Sequence, residues 1–251
     1  MDRQFPRLVI RRDKLRNNFT QIISRCRACG INVAGVIKGV GGLPEIARLY
    51  KECGAAQLAT SRLEQIELWR REGVDGPFLL LRVPGMSELE SLPHLADYSL
   101  QSDISTLNAL ENVCARQNLT HKVILMADLG DLREGFWDKA EMIRACCHVE
   151  WELPHLILAG VGVNLGCYGS IVPTPANLGQ LVDIARAVEE QIGRKLEIVS
   201  GGATSSYPLV HRGAMPAGIN HLRIGEAALL AKDLQANGDR LAAVLYNLLE
   251  T

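Results

Sequence analysis

Short, nearly unbroken apolar runs alternate along this chain with longer segments whose apolar residues recur every three or four positions. The short runs are Val33–Lys38, Gln57–Ser61, Phe78–Arg82, Tyr98–Gln101, Lys122–Asp128, Leu156–Asn164, Leu196–Ser200 and His221–Ile224. Each has the length of a strand, and runs this apolar suit strands covered on both faces. The segments between them read as helices. Arg62–Glu72 carries Leu63, Ile66 and Trp69 at helical spacing and stops at Gly73. Leu178–Ile192 repeats the pattern with Leu181, Val182, Ala185 and Val188, and stops at Gly193. Alternating strands and helices imply a parallel sheet with helical crossovers. Over 251 residues they predict an α/β fold, the (β/α)8 or TIM barrel, typically ~250 residues long. An open doubly wound sheet is the competing architecture. Phe5–Ile10 is expected to form an extra strand ahead of the barrel. Leu234–Glu250 is expected to close it as a helix, with Leu241, Val244, Leu245 and Leu248 on one face. No linker, low-complexity run or repeat divides the sequence, so residues 1–251 are expected to form one domain.

Composition narrows the class. Hydrophobic residues make up 47% of the chain, enough for a buried core and far from a disordered composition. The net charge is −1, which offers no basic field for nucleic acid or anionic lipid. The most apolar stretch, Leu156–Gly166, is interrupted by glycines and Asn164 and falls short of the ~18 residues a membrane span needs. The opening Met1-Asp2-Arg3-Gln4-Phe5-Pro6 lacks the layout of a signal peptide. Seven cysteines cannot all pair internally. Cys26 and Cys29 form one C-x-x-C inside a helical pattern, with no second pair spaced to complete a zinc site. The expectation is a cytoplasmic protein with reduced thiols, no metal, and neither nucleic acid nor membrane as partner.

In a parallel barrel, reactive side chains sit at the C-terminal ends of the strands. The first strand ends in Val36-Ile37-Lys38, followed by Gly39-Val40-Gly41-Gly42. Burial at such a position would disfavour a charged lysine and make its amine a better nucleophile, although a lysine there more often reaches solvent. The seventh strand leads into Ser200-Gly201-Gly202-Ala203-Thr204-Ser205-Ser206. Glycines and hydroxyls in that arrangement suit a phosphate nest, the alternative being a plain polar loop. The eighth gives Leu222-Arg223-Ile224-Gly225-Glu226. Gly225 and Glu226 would open a helix whose free N–H groups can also face phosphate, and Arg223 would project into the mouth or simply pair with an acid.

Lys38, the serine-glycine loop and Arg223-Ile224-Gly225 occur in an order and spacing that resembles the alanine racemase-like barrel family, which carries pyridoxal 5′-phosphate. The resemblance extends to Pro6-Arg7-Leu8-Val9-Ile10, Leu15-Arg16-Asn17-Asn18 and Ser61-Arg62-Leu63-Glu64-Gln65. Gly162-Val163-Asn164-Leu165-Gly166-Cys167-Tyr168-Gly169 and Met215–Glu226 are most similar to its ornithine racemase branch. The resemblance implies that Lys38 carries the cofactor covalently and serves as a proton-transfer base. It implies that Arg223 faces the pyridine nitrogen and Arg133 the phenolic oxygen, with Asn164 and Ser200 also at the cofactor. Thr204, Ser205 and the backbones of Gly202, Gly225 and Glu226 would hold the phosphate.

Three departures separate this chain from alanine racemase proper. Gly39-Val40-Gly41-Gly42 lacks a tyrosine that reaches the phosphate. Met126 stands where alanine racemase has a modified lysine. The C-terminal β-domain that supplies a tyrosine to a partner subunit in the family's racemases is not among these 251 residues, as expected of a barrel-only member, a truncated chain or a protein with another residue on that face, and monomer and homodimer are both open. Two readings follow. One is a racemase acting on ornithine or a similar basic amino acid, a small-molecule substrate. The other is a non-catalytic single-barrel carrier of the cofactor. A phosphate-binding barrel enzyme without pyridoxal is a third. Racemisation needs a second proton donor opposite Lys38, and Tyr168 and Cys167 are the candidates. Asp128, Asp131 and Glu226 are candidate partners for a substrate side chain.

Overall fold

The computed structural model describes residues 7–166, 171–230 and 245–248. Its first strand, β1 (Arg7–Ile10), precedes helix α1 (Arg12–Ala28). Eight strands then alternate with helical segments. They are β2 (Asn32–Val36), β3 (Gln57–Thr60), β4 (Phe78–Leu80), β5 (Tyr98–Gln101), β6 (His121–Ala127), β7 (Leu156–Val163), β8 (Ile198–Ser200) and β9 (His221–Ile224). They form a closed barrel in chain order, with β9 returning to β2 and neighbours parallel. The (β/α)8 expectation is met, and the open sheet is excluded by the β2–β9 pairing.

The helices start and stop where their sequences say they should. In α5 (Ile104–Gln117), Asp103 accepts the N–H of Thr106 at 2.7 Å. In α6 (Lys139–Glu152), Asp138 accepts that of Glu141. α7 (Pro175–Ile192) opens on a Thr174–Asn177 capping box with proline in its first turn and ends at Gly193 in the left-handed region. These side chains satisfy N–H groups that a helix start leaves without intrahelical partners.

Side chains alternate along each strand, so two apolar layers form. Ala34, Val36, Leu79, Leu81, Ile124 and Met126 pack inside the barrel. Leu58, Leu80, Val123, Leu125, Leu222 and Ile224 face the helices. Near the N-terminal strand ends, the Tyr98 hydroxyl accepts from Lys122 Nζ (2.9 Å) and donates to Glu197 Oε1 (2.7 Å). Lys122 also pairs with Glu197 at 2.8 Å. Polar chemistry is thus tied off at that end, and the opposite face carries the cavity.

Two element boundaries need correction. The segment Leu234–Glu250 is not a helix where it is described. Leu245–Leu248 forms strand β10, antiparallel to β1, with Arg7 opposite Leu248 and Ile10 opposite Leu245. The lone strand β1 has backbone donors and acceptors that need a ladder partner, and β10 supplies one. Leu241 and Val244 lie outside the described residues. The second correction concerns Lys38. The ladder ends at Val36, and Lys38 begins a 3-10 turn through Val40. The side chain is exposed in the barrel mouth, as a lysine at a strand end more often is.

Candidate active site at the barrel mouth

Past β2, the Ile37 N–H still bonds to Ala59 O at 3.0 Å. The chain then turns away at Lys38 and closes the turn on Gly41 with φ +67°. This sets Lys38 in the wall of a cavity of about 310 Å³ at the C-terminal face. That volume lies at the lower end of the ~300–1,000 Å³ usual for small-molecule sites.

Strand β9 contributes Arg223, which is buried. Its backbone N–H bonds to Gly202 O at 2.9 Å. Three described groups accept from its guanidinium. Nη2 donates to Val163 O (2.8 Å) and to Asn164 Oδ1 (2.6 Å), and Nη1 donates to Ser200 Oγ. Gly162 makes the space. A Cβ there would lie 3.4 Å from Arg223 Nη1 and 3.0 Å from Met126 Sδ.

The next shell comes from the loop after β6. Asn164 Nδ2 donates to Glu134 Oε1, and Arg133 Nε lies 3.8 Å from the same oxygen. The loop folds back on its own strand. Phe136 N bonds to Met126 O (2.8 Å) and Asp128 N to Phe136 O (3.0 Å). Gly135, at φ +126°, allows this, since a Cβ would fall 2.5 Å from Asp128 N. Asp128 Oδ1 accepts from the N–H groups of Gly130 and Leu132. Asp131 is buried and accepts from Gly166 N at 2.9 Å. Both acids therefore shape backbone, and neither lines the cavity.

The remaining wall joins two strand ends. After β8, Thr204–Ser206 forms a 3-10 turn; after β9, α9 (Glu226–Leu230) begins. Thr204 Oγ1 accepts from Ala227 N at 3.2 Å, and Ser205 Oγ donates to Leu165 O at 2.6 Å. Thr204, Ser205, Gly225 and Glu226 all line the cavity. Glu226 opens α9, and the N–H groups of Ala228 and Leu229 go to Gly225 O at 3.1 Å.

The structure thus brings Lys38, Arg133, Asn164 and Arg223 to one cavity with Thr204, Ser205, Gly225 and Glu226. Ser200 and Gly202 are not in its wall. They stand behind it and hold the side chain and the N–H of Arg223. Cys167 and Tyr168 lie outside the described residues. Glu134 and His221 were missed in the sequence. Glu134 adjoins Arg133, and His221 shares a strand face with Arg223, so adjacency and period-two spacing are the signals that could have found them. Among the described residues no group of three or more His, Cys, Asp or Glu is placed to hold a metal, and no helix is long and apolar enough to cross a membrane.

Among the described residues, the basic side chains of Lys38, Arg133 and Arg223 line the cavity against the single carboxylate of Glu226. That balance favours an anionic ligand. Fold and site define a (β/α)8 barrel whose mouth carries a cationic, lysine-bearing cavity. The chain belongs to the family described as alanine racemase, N-terminal domain, which matches residues 10–233. It is 37% identical over 236 residues to a lysine racemase of Thermotoga maritima, covering 93% of this chain and 64% of that protein. It is 35% identical over 229 residues to an ornithine racemase of Acetoanaerobium sticklandii, covering 91% and 64%. The chain therefore spans 64% of the length of each of these relatives. Among solved structures, a D-threonine aldolase from Filomicrobium marinum superimposes with a TM-score of 0.81 at 20% identity, covering 97% of this chain and 68% of that one. That likeness speaks to the fold alone.

Proposed function

We propose that this barrel holds pyridoxal 5′-phosphate on Lys38 and racemises an amino acid with a basic side chain, of the ornithine or lysine type. The observation that carries the proposal is the single cavity lined by the Lys38 amine, the buried Arg223 guanidinium and the Thr204–Ser205 and Gly225–Glu226 turns. The donor set fits a phosphorylated pyridine aldehyde. An amine is available to hold the aldehyde, the Thr204 hydroxyl accepts from Ala227 N and keeps its own proton to give to phosphate, and the excess of cations matches its charge. Two relatives with lysine and ornithine racemase activity by name, at 37% and 35% identity, support the substrate class.

When bound, the cofactor makes the Cα–H of an attached amino acid acidic. The other tasks fall to the chain. Lys38 stands free of the strand ladder, in reach of the cavity, and serves as a base and acid at Cα. Arg223 cannot lose its proton, so it presents only donors and does not deliver a proton to a ring nitrogen. Its three acceptors hold the guanidinium plane in one orientation. Thr204 and Ser205 tie the turn after β8 to α9 and to Leu165, which fixes the phosphate side of the cavity before a ligand arrives.

The test is a chiral assay of the purified chain, supplied with pyridoxal 5′-phosphate, on L- and D-ornithine, lysine and alanine in deuterated water. The expected result is interconversion of ornithine or lysine enantiomers with deuterium appearing at Cα. Absence of α-proton exchange with every amino acid would overturn the racemase reading and leave a carrier of the cofactor.

A further inference from the structure

Inside the barrel, a line of polar side chains runs from β3 to the cavity, and two of its members, Gln57 and His221, are not used by the function above. Gln57, His221, Ser200 and Arg223 are all buried. His221 Nε2 lies 3.1 Å from Gln57 Oε1, His221 Nδ1 lies 2.8 Å from Ser200 Oγ, and Ser200 Oγ receives Arg223 Nη1. The direction of every proton in this line follows from its end. Arginine has only N–H donors, so Ser200 Oγ is an acceptor toward Arg223. The single Ser200 hydroxyl proton is then left for His221, and Nδ1 must accept it. A neutral imidazole that accepts at Nδ1 carries its proton on Nε2, and that N–H meets the Gln57 oxygen. A doubly protonated ring would put two cationic donors on one hydroxyl and strand the hydroxyl's own proton. Burial, and then the charge of Arg223, push His221 down to about 3, so the ring is neutral.

We propose that His221 is a positioning residue for Arg223: locked as the Nε2–H tautomer, it takes the Ser200 proton and keeps the Ser200 oxygen turned to the guanidinium. Without an acceptor at Nδ1, the Ser200 hydroxyl is free to rotate, and one of three anchors of Arg223 loses its direction. The effect on turnover rests on the racemase reading above. The tautomer and the cofactor affinity do not depend on turnover.

Three measurements test this. The first is imidazole nitrogen NMR of the [15N]histidine-labelled protein, with the His221 signal assigned by its loss in His221→Asn. The expected pattern is neutral Nε2–H from pH 8 to pH 5, with the Nδ1 resonance moving in Ser200→Ala. An Nδ1–H tautomer, or titration within that range, overturns the proposal. The second compares His221→Leu, which removes the acceptor, with His221→Asn, whose amide oxygen can replace Nδ1. The leucine variant should bind pyridoxal 5′-phosphate about tenfold more weakly, the size of one lost bond in a charged network, and the asparagine variant should recover most of this. Equal losses in both, in step with equal drops in Tm, would make His221 merely structural and overturn the proposal. The third is kinetic. In an active protein the leucine variant should lose kcat about tenfold with KM for the amino acid within about twofold. A wild type without turnover sinks the racemase reading, while the first two measurements still decide the role of His221.

Discussion

Three acceptors surround the Arg223 guanidinium, and each is itself held by a further group. Ser200 leans on His221, Val163 O belongs to β7, and Asn164 is turned by Glu134. The last link is open to a simple test. A carboxylate accepts but does not donate, so Glu134 fixes which end of the Asn164 amide faces Arg223. Glu134→Ala should cost about tenfold in kcat, by loss of a bond to a charged group, while Glu134→Gln, which keeps an oxygen acceptor, should cost less. Steady-state kinetics of both variants beside circular dichroism decides this; equal activity of the alanine variant and wild type would remove Glu134 from the site. The hydroxyls on the phosphate side make a second test. Thr204→Ala combined with Ser205→Ala should lower the affinity for pyridoxal 5′-phosphate about tenfold or more, measured by absorbance titration. Unchanged affinity would count against the turn as a phosphate holder. Thr204 also accepts from Ala227 N, so a modest loss of Tm is expected alongside.

At the scale of elements, the loop after β6 owes its place to one glycine. It carries Arg133 and Glu134 into the site only because residues 135–136 lie against Ala127 and Asp128. At φ +126°, with a Cβ falling 2.5 Å from backbone atoms, no side chain fits at Gly135 without displacing the loop. Gly135→Ala should therefore weaken cofactor binding and turnover by an order of magnitude or more while the barrel stays folded. The effect of a 1 Å misplacement on rate is about this size. Near-native far-UV circular dichroism with lost cofactor affinity is the expected pair of results; retained affinity would contradict it. The same loop shows what a sequence conceals. Asp128 and Asp131 look like free carboxylates at a strand end, yet one caps its own loop and the other takes Gly166 N–H. Nothing in local spacing distinguishes an acid that binds backbone from one that faces a ligand.

The barrel itself was legible because eight apolar runs are enough to state it. Tyr98–Gln101 and His221–Ile224 agree with the structure to the residue, and the others differ by a few positions at their ends. Those ends matter most for the site. The apolar Val36-Ile37 reads as continuing the strand through Lys38, but after Ile37 the chain enters a 3-10 turn and the side chain emerges into the mouth. The closing segment was misread because Leu241, Val244, Leu245 and Leu248 fit a helix face, while pairing with β1 is a long-range effect invisible to periodicity. Glu134 and His221 are hard to see for a related reason: each acts through partners distant in sequence.

Burial of polar groups also sets the pH response of the whole molecule. His121 and His221 are buried, and burial pushes them from the ordinary 6.5 down to about 4 and about 3. A histidine depressed on folding stays neutral in the folded chain and takes up a proton only on unfolding. Its stabilising contribution is complete above about pH 6.5 and is lost progressively as pH falls toward the folded value. Each can contribute a slope of up to ~1.4 kcal/mol per pH unit in that window. Urea midpoints should therefore fall between pH 6.5 and about 5.5, above the range where most carboxylates protonate, and fall less steeply in His221→Asn. A flat profile over that window would contradict the burial of both rings.

The central claim is that Lys38 holds pyridoxal 5′-phosphate in the cavity it shares with Arg223. Borohydride reduction of the protein loaded with pyridoxal 5′-phosphate, followed by peptide mass mapping, tests it directly. The account predicts a phosphopyridoxyl group on the peptide containing Lys38 and its disappearance in Lys38→Ala. A label on Lys51, Lys122 or any other lysine, with Lys38 unmodified, would contradict it.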